Sequence, residues 1–218
     1  GRVFRYGMAT GVAKYDPTPA LKGALIAPPR RHYPGIVEPK AVGGLVRTIR
    51  SLRGSEPTTR IGLLLLAYTF QRPCEIRHLQ WSDVDWENHK ITIPAERMKM
   101  KRDHVVPLSN QTIDLLNEIH PWTSQSQFIF PGTSERSRPI SDATFAAALN
   151  RLGYDSSIHV PHGFRTTAST LLNEDDWNRD WIERRLAHVE RNAIRRAYNA
   201  AEYLDGRIQM MQAYSDKL

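Results

Sequence analysis

The chain has 218 residues, of which 40% are hydrophobic, and its formal net charge is +7 at pH 7. This length can bury a core as one domain, or as one domain with an appendage. The longest apolar run, residues 61–67, is too short to cross a bilayer. Cys74 is the only cysteine, which excludes an intrachain disulfide and a cysteine-rich metal site and fits a reducing cytoplasm. The positive balance suits a polyanionic partner such as nucleic acid.

The first 36 residues differ from the rest of the chain. Residues 2–13 have a helical pattern that the prolines of residues 16–19 interrupt, and a proline-rich basic stretch follows at residues 27–34. Because the chain starts without an initiator methionine, we expect a fragment or a processed product. These features predict a boundary near residue 36, with the main domain at residues 37–218.

Two helices are predicted at the start of the main domain. The first begins at Pro39 and has an apolar stripe at helical spacing, formed by Val42, Leu45, Val46, Ile49 and Leu52. The second, residues 58–70, is apolar on nearly every side, which is typical of a helix buried in a core. Pro73 disfavours the helical conformation in the residue before it, so this helix should end by residue 71 or 72. Arg72 is therefore expected at a helix junction beside the core.

A small sheet and more helices complete the predicted fold. The only clear hairpin joins residues 90–93 to residues 104–108. Its loop carries four basic residues, Arg97, Lys99, Lys101 and Arg102. Further helices are predicted after Ser109, between Ser141 and Gly153, and over most of residues 162–218. The predicted class is mainly α with a small antiparallel β-hairpin sheet (α+β).

The C-terminal tail has an apolar stripe of its own. It consists of Tyr203, Leu204, Ile208, Met211, Tyr214 and Leu218. This spacing predicts an amphipathic helix, and such a stripe is unusual in water. We therefore expect the tail to dock, either on its own domain or on a neighbouring protomer.

Four segments far apart in the sequence carry residues that suit attack on a phosphodiester. They are residues 72–75, the hairpin loop, residues 161–165 and residues 186–198. Paired arginines can hold phosphate oxygens through charge-assisted bonds, and lysine or histidine can move protons. A tyrosine phenol can act as a covalent nucleophile. Taken singly, the segments also fit an Arg72–Glu75 ion pair, edge-strand charges and a solvated basic helix.

No metal or other cofactor is predicted. His159 and His162 could be interpreted as a metal-binding pair, but no carboxylate or thiol lies nearby at ligand spacing. The sequence also has no dedicated Mg²⁺ site, so we expect the cationic side chains to take the place of a metal. His162 and Arg165, three positions apart at a helix start, should share one face.

In their order along the chain, these residues resemble the tyrosine recombinase (phage integrase) family. The family pattern is Arg, Lys, His-x-x-Arg, His and Tyr, and the matching positions are Arg72, Lys99, His162, Arg165, His188 and Tyr198. Flanking residues resemble the family too, in Arg72-x-x-Glu75, Leu79-x-Trp81-x-Asp83, Val106-Pro107-Leu108 and Leu186-Ala187-His188. The resemblance covers roughly residues 37–205 and is closest to integrases of temperate phages and genomic islands. Family hairpins that end in Val-Pro-Leu favour Lys99 over Lys101 as the catalytic lysine.

Two positions depart from the family pattern. Ala187 replaces a common glycine, and Tyr198 follows His188 by ten positions where the family usually has nine, so Tyr203 is a rival nucleophile. Ten residues of unbroken helix would separate His188 from Tyr198 by about 15 Å, too far to share one phosphate. A break at residues 190–192, as loop and N-cap, would absorb the additional residue.

The resemblance implies the fold and the reaction. The main domain would have the fold of the tyrosine recombinase catalytic domain, and residues 1–36 would be the end of a preceding core-binding domain plus linker. Tyr198 would attack a DNA phosphate, giving a 3′-phosphotyrosine and a free 5′-hydroxyl that attacks a partner strand. Neither ATP nor metal would be needed. The alternatives are a type IB topoisomerase-like enzyme, which reseals the same strand, and an inactive DNA-binding relative.

The resemblance also implies partners and location. The expected partner is double-stranded DNA at attachment sites, where the full-length protein would form a homo-tetramer. Accessory DNA-bending or directionality proteins are possible further partners, and no membrane partner is expected. Such a protein would act on the nucleoid in the bacterial cytoplasm, in integration or excision of a mobile element.

Overall fold

The structure is a computed structural model that describes residues 1–24, 33–53, 57–98, 101–187 and 203–218. The chain forms two compact units, Gly1–His32 and Tyr33–Leu218.

The smaller unit contains one α-helix among its described residues, α1 (Arg2–Ala9), none of whose residues is buried. A 3₁₀ turn follows at Thr18–Leu21. The helix ends earlier than the sequence pattern predicts. Gly11 lies just beyond its end in the left-handed conformation, with φ +72°, which glycine adopts at little cost.

The larger unit combines helices with one small sheet. In chain order it contains α2 (Pro39–Arg50), α3 (Thr58–Thr69), α4 (Pro73–Arg77), β1 (Val84–Asp85), β2 (Lys90–Ile93), β3 (His104–Pro107), α5 (Asn110–Thr123), α6 (Thr144–Arg151), α7 (Gly163–Glu174), α8 (Arg179–Arg185) and α9 (Leu204–Lys217). The predicted class, mainly α with a small antiparallel sheet, is confirmed. In the ranges that the structure describes, no helix is long and apolar enough to cross a membrane.

Helix α3 is the centre of the larger unit, as its apolar sequence predicts. Nearly all of its residues are buried, and it packs against α2, α4, α5, α6, α7 and α9. The ring of Phe145 on α6 lies so close to Gly62 that a Cβ there would be 2.5 Å from it. The helix stops at Thr69, because Phe70 has a left-handed φ of 38°. This end delivers the next residues to the candidate site.

The sheet has the order β1-β2-β3 and is antiparallel throughout. The predicted hairpin is β2 and β3, with Ile91 opposite Val106 and Ile93 opposite His104. Strand β1 was not predicted, because two residues are too few for strand alternation to be recognised. Ile91, Ile93 and Val106 are buried in the same core as α3.

The tail helix α9 docks on its own domain, packing against α3, α8 and β3. Docking was predicted, but the buried face only partly coincides with the predicted stripe. The buried residues are Arg207, Met210, Met211, Tyr214 and Ser215, whereas Ile208 is 44% exposed. Met211 and Tyr214 of the predicted stripe are buried, so the stripe is confirmed in part. It missed Arg207, whose Nη2 donates to the carbonyl of Val105, so that a charged residue shares the buried face.

Candidate active site

Arg72 is positioned by the junction between α3 and α4. It is the N-cap of α4 with an extended backbone, and Pro73 is the first helical residue. The Glu75 carboxylate accepts a hydrogen bond from the Arg72 amide at 3.0 Å and one from its Nη1 at 2.7 Å. The other terminal nitrogen, Nη2, donates to the carbonyl of Ala187 at 3.3 Å. The Arg72–Glu75 ion pair, which the segment fits when taken singly, is therefore present, and it orients a guanidinium that is still 22% exposed.

Arg165 donates hydrogen bonds to two backbone carbonyls. It lies in the first turn of α7 and is only 6% exposed. Its Nη1 donates to the Phe70 carbonyl at 2.9 Å, and its Nη2 donates to the Leu186 carbonyl at 2.6 Å. Phe70 and Leu186 are the C-caps of α3 and α8, and the dipole at the C-terminus of a helix favours a cation. Burial, and then the charge of Arg72, lowers the pKa of Arg165 to about 10, so it is still charged at neutral pH.

The two guanidinium groups are neighbours. Arg165 bonds to the carbonyl of Leu186 and Arg72 to that of Ala187, the next residue. Two cations held this close repel each other, and an anion between them relieves the repulsion. Two guanidinium groups with fixed orientations match the oxygens of a phosphate diester.

His162 lies beside Arg165, as the spacing of the two residues predicts. It is the N-cap of α7, and it lines an open cavity of about 260 Å³ together with Arg165. The other lining residues are Thr166, Ser169, Thr170 and Leu186. His162 is half-buried, and its ring contacts that of Tyr33. The described part of the site therefore offers an arginine and a histidine at the wall of one cavity.

A buried polar network that the sequence analysis missed lies behind Arg72. With its amide nitrogen towards Glu75, Gln71 donates to that carboxylate at 2.5 Å. The Gln71 oxygen accepts from Arg185 Nη1 at 2.9 Å and from His104 Nε2 at 3.1 Å. Burial, and then the charge of Arg185, holds the pKa of His104 well below its usual value. The network therefore holds the carboxylate that aims Arg72.

Arg185 and Arg207 are the two largest fully buried side chains of the described residues, and Arg185 is completely buried. The Nη2 of Arg185 donates to the Thr69 carbonyl, and the Arg185 guanidinium lies over the Phe70 ring, 4.7 Å from the centroid. In the sequence, Arg185 follows Arg184, and two adjacent arginines are typical of a solvated basic helix. The signal that could have revealed it is spacing, because Arg185 lies three residues after the buried Ile182 on α8.

Three predicted site residues, Lys99, His188 and Tyr198, lie outside the described residues. The loop residue Arg97 forms an ion pair with Asp83 and donates to the His78 carbonyl at 2.9 Å, so its guanidinium is bound outside the candidate site. Lys101, the rival lysine, is exposed, and its Nζ lies 3.4 Å from the Glu96 carbonyl.

Tyr203, the rival nucleophile, is the N-cap of α9 with a left-handed φ of 50°. His159, one of the two histidines considered and rejected as a metal-binding pair, is buried, and its Nδ1 accepts the amide of Ile36 at 3.1 Å. That nitrogen is therefore not available to a metal. Within the described ranges, no three His, Cys, Asp or Glu side chains could together hold a metal ion.

Comparison with known proteins identifies the family. The profile of the phage integrase family matches residues 38–204. The chain is 37% identical to an integrase of Shigella phage Sf6, over 100% of this chain and 56% of that protein. It thus spans about half the length of the curated relatives that it matches.

Solved structures match the fold. An integrase from mycobacterium phage Brujita matches with a TM-score of 0.63 and 15% identity, over 100% of this chain and 69% of that one. A lambda integrase tetramer bound to a Holliday junction matches with a TM-score of 0.61 and 15% identity, over 87% of this chain and 56% of that one. The chain therefore belongs to the phage integrase family, and its larger unit has the fold of the tyrosine recombinase catalytic domain.

Proposed function

We propose that the chain is the catalytic part of a site-specific recombinase that integrates or excises a mobile element. It cuts and rejoins DNA through a 3′-phosphotyrosine intermediate. The observation that carries this proposal is that Arg72 and Arg165 donate to adjacent carbonyls, while Arg165 and His162 line one cavity. The Sf6 relative, which is itself an integrase, supports the same activity.

In this proposal the two arginines bind the non-bridging oxygens of the phosphate to be cut. Negative charge grows on those oxygens in the transition state, and donors already fixed in place stabilise it without reorganisation. Arg165 is fixed by two backbone carbonyls and Arg72 by Glu75. His162 and His188 donate hydrogen bonds to the phosphate or move protons.

Tyr198 supplies the nucleophile and Lys99 the general acid. The phenol oxygen of Tyr198 bonds to phosphorus while its proton passes to one of the two histidines, and the bond from phosphorus to the 5′-oxygen breaks. That oxygen takes a proton from Lys99 and leaves as a hydroxyl. The 5′-hydroxyl of a partner strand then attacks the phosphotyrosine and releases the tyrosine, so the energy of the phosphodiester bond is conserved.

The role of Lys99 can be tested by changing the leaving group. A substrate with sulfur in place of the 5′-bridging oxygen needs no proton to leave. Lys99→Ala should cut ordinary DNA poorly and the sulfur substrate nearly normally, while Lys101→Ala should be mild on both. The reverse pattern would assign the role to Lys101.

The proposed partner is double-stranded DNA at attachment sites, bound by a homo-tetramer of the full-length protein with accessory DNA-bending or directionality proteins. The net charge of +7 and the tetrameric lambda structure on a Holliday junction support this proposal. Residues 1–36 would be the end of a core-binding domain plus linker, and residues 37–218 the catalytic domain with its tail helix. We place this activity at the bacterial nucleoid.

Strand exchange between two labelled duplexes tests the proposed function. A library of nicked duplexes with randomised sequence around the nick first selects DNA that forms a covalent complex with the protein. Two duplexes of the selected sequence should then exchange strands. Relaxation of supercoiled DNA without exchange would favour a type IB topoisomerase activity, and DNA binding without any covalent complex would favour an inactive relative.

A further inference from the structure

Residues Tyr33–Ile36, which we call the clip, are bonded to the segment that starts α7. The Pro34 carbonyl accepts the Val160 amide at 3.2 Å. The Ile36 amide donates to His159 Nδ1 at 3.1 Å, and its carbonyl accepts from Thr167 Oγ1 at 2.5 Å. These bonds lie on both sides of His162 in sequence. The clip therefore fixes the start of the helix that carries His162 and Arg165.

Two glycines let the backbones touch. A Cβ on Gly163 would lie 2.2 Å from the Pro34 carbonyl oxygen, and a Cβ on Gly35 would lie 2.6 Å from the Gly163 oxygen. Neither contact is possible with a side chain in place, so the position between His162 and Phe164 requires glycine. No side chain separates the backbones of Gly35 and Gly163. A shift of the clip therefore also moves Gly163, the residue next to His162.

The ring of Tyr33 lies against the imidazole of His162. The ring centroids are 4.5 Å apart and the planes are inclined by 47°. Tyr33 is nevertheless 61% exposed, so burial of its ring does not explain its position. The hydrogen bonds of Pro34 and Ile36 fix the backbone that follows Tyr33. A ring at this distance from the imidazole restricts the rotation of the imidazole.

We propose that Tyr33 is a positioning residue for His162. Its aromatic ring selects the orientation in which the imidazole faces a phosphate bound between the two arginines, and the phenol hydroxyl plays no part. This inference rests on the proposed function, in which His162 acts on that phosphate. A small displacement of a positioned group can cost as much as about a hundredfold in rate.

The first test observes the imidazole without DNA. The ring signals of His162, assigned by their loss in His162→Asn, are recorded by NMR for the 218-residue chain and for two variants. Tyr33→Ala should shift these signals, because a neighbouring aromatic ring is lost, and Tyr33→Phe should leave them near their original positions. The control is Trp122→Ala, which removes another exposed aromatic side chain (53% exposed). Unshifted signals in Tyr33→Ala would overturn the inference.

The second test measures single-turnover cleavage of a nicked duplex selected from the randomised library. Tyr33→Ala should cleave about tenfold more slowly with unchanged DNA affinity, and Tyr33→Phe should restore the rate. In the His162→Asn background, Tyr33→Ala should have no further effect, because it acts only through His162. Additive losses, or wild-type cleavage by Tyr33→Ala, would overturn the inference alone. A wild-type chain that forms no covalent complex would overturn the proposed function itself.

Discussion

Arg72 and Arg165 are neighbours with the same charge, but the fold holds them in different ways. Arg165 is buried and bonded to two backbone carbonyls, those of Phe70 and Leu186. Arg72 is partly exposed and is aimed by a carboxylate, that of Glu75. Arg165 is thus part of the structural core as well as of the site, whereas Arg72 depends on a side chain that can be changed separately. The difference predicts which substitutions strongly lower stability as well as cleavage and which act mainly on cleavage.

The largest effect is expected for Arg165→Ala. It should reduce cleavage by at least about two orders of magnitude, the scale seen when one transition-state donor is lost. It should also lower the free energy of unfolding by about 1–3 kcal/mol, because two buried carbonyls lose their donor. Single-turnover cleavage and urea unfolding measure the two effects. Full stability in Arg165→Ala would contradict its structural role.

Arg72→Ala should lose a similar amount of cleavage with a smaller loss of stability. The cleavage loss is again about two orders of magnitude. Glu75 would still accept the backbone amide of residue 72 and the Gln71 amide, so its buried carboxylate would keep partners. The same two assays apply. If Arg72→Ala unfolded as easily as Arg165→Ala, the contrast between the two arginines would be wrong.

Glu75→Gln should have an intermediate effect on cleavage. Without the carboxylate, Arg72 loses its ion pair and part of its orientation, and the expected loss is between about tenfold and a hundredfold. Because Glu75 acts on cleavage through Arg72, Glu75→Gln should add little in an Arg72→Ala background. Glu118→Gln is the matched control, since Glu118 pairs with Arg60 on the surface. An equal loss in that control would exclude a specific role for Glu75.

The smallest expected effect is on the pH dependence of the free energy of unfolding, through His159, which lies just before the helix that carries Arg165. Burial lowers the pKa of His159 from 6.5 to about 4. The neutral ring is favoured in the folded state, so its stabilisation is complete above pH 6.5 and is lost as pH falls to about 4. His159→Gln keeps an acceptor for Ile36 but does not titrate. The free energy of unfolding should therefore fall less between pH 7 and pH 5 in this variant, by on the order of 1 kcal/mol. If His159→Gln and the unchanged protein had the same pH dependence of unfolding, His159 would not be the group responsible.

Helices α3 and α9 show how far the sequence predicts this fold. Helix α3 is apolar on nearly every side and Pro73 follows its end, so its burial and its length were predicted. Helix α9 was predicted, and Met211 and Tyr214 of its predicted stripe are buried, but Ile208 is exposed and Arg207 is buried against the Val105 carbonyl. Hydrophobic spacing fails where a charged residue finds a backbone acceptor inside the core. Arg185 was missed for the same reason.

The candidate site was likewise predicted only in part. The order of motifs predicted that Arg72, His162 and Arg165 act together, and the structure brings the two arginines to adjacent carbonyls. Which carbonyls hold them could not be predicted, because every residue has a carbonyl and only the fold selects among them. The role of Tyr33 was hidden because it depends on the approach of Gly35 to Gly163. Lys99, His188 and Tyr198 stay predictions.

Mapping the covalent adduct tests the central claim most directly. The protein is trapped on a nicked duplex, and the DNA-linked peptide is identified by mass spectrometry. Trypsin leaves Tyr198 and Tyr203 in one peptide, residues 197–207, so cleavage after Glu202 is needed to separate them. We predict the adduct on the peptide that contains Tyr198, and DNA binding without any adduct in Tyr198→Phe. An adduct on a peptide that contains only Tyr203 would contradict the assignment of the nucleophile.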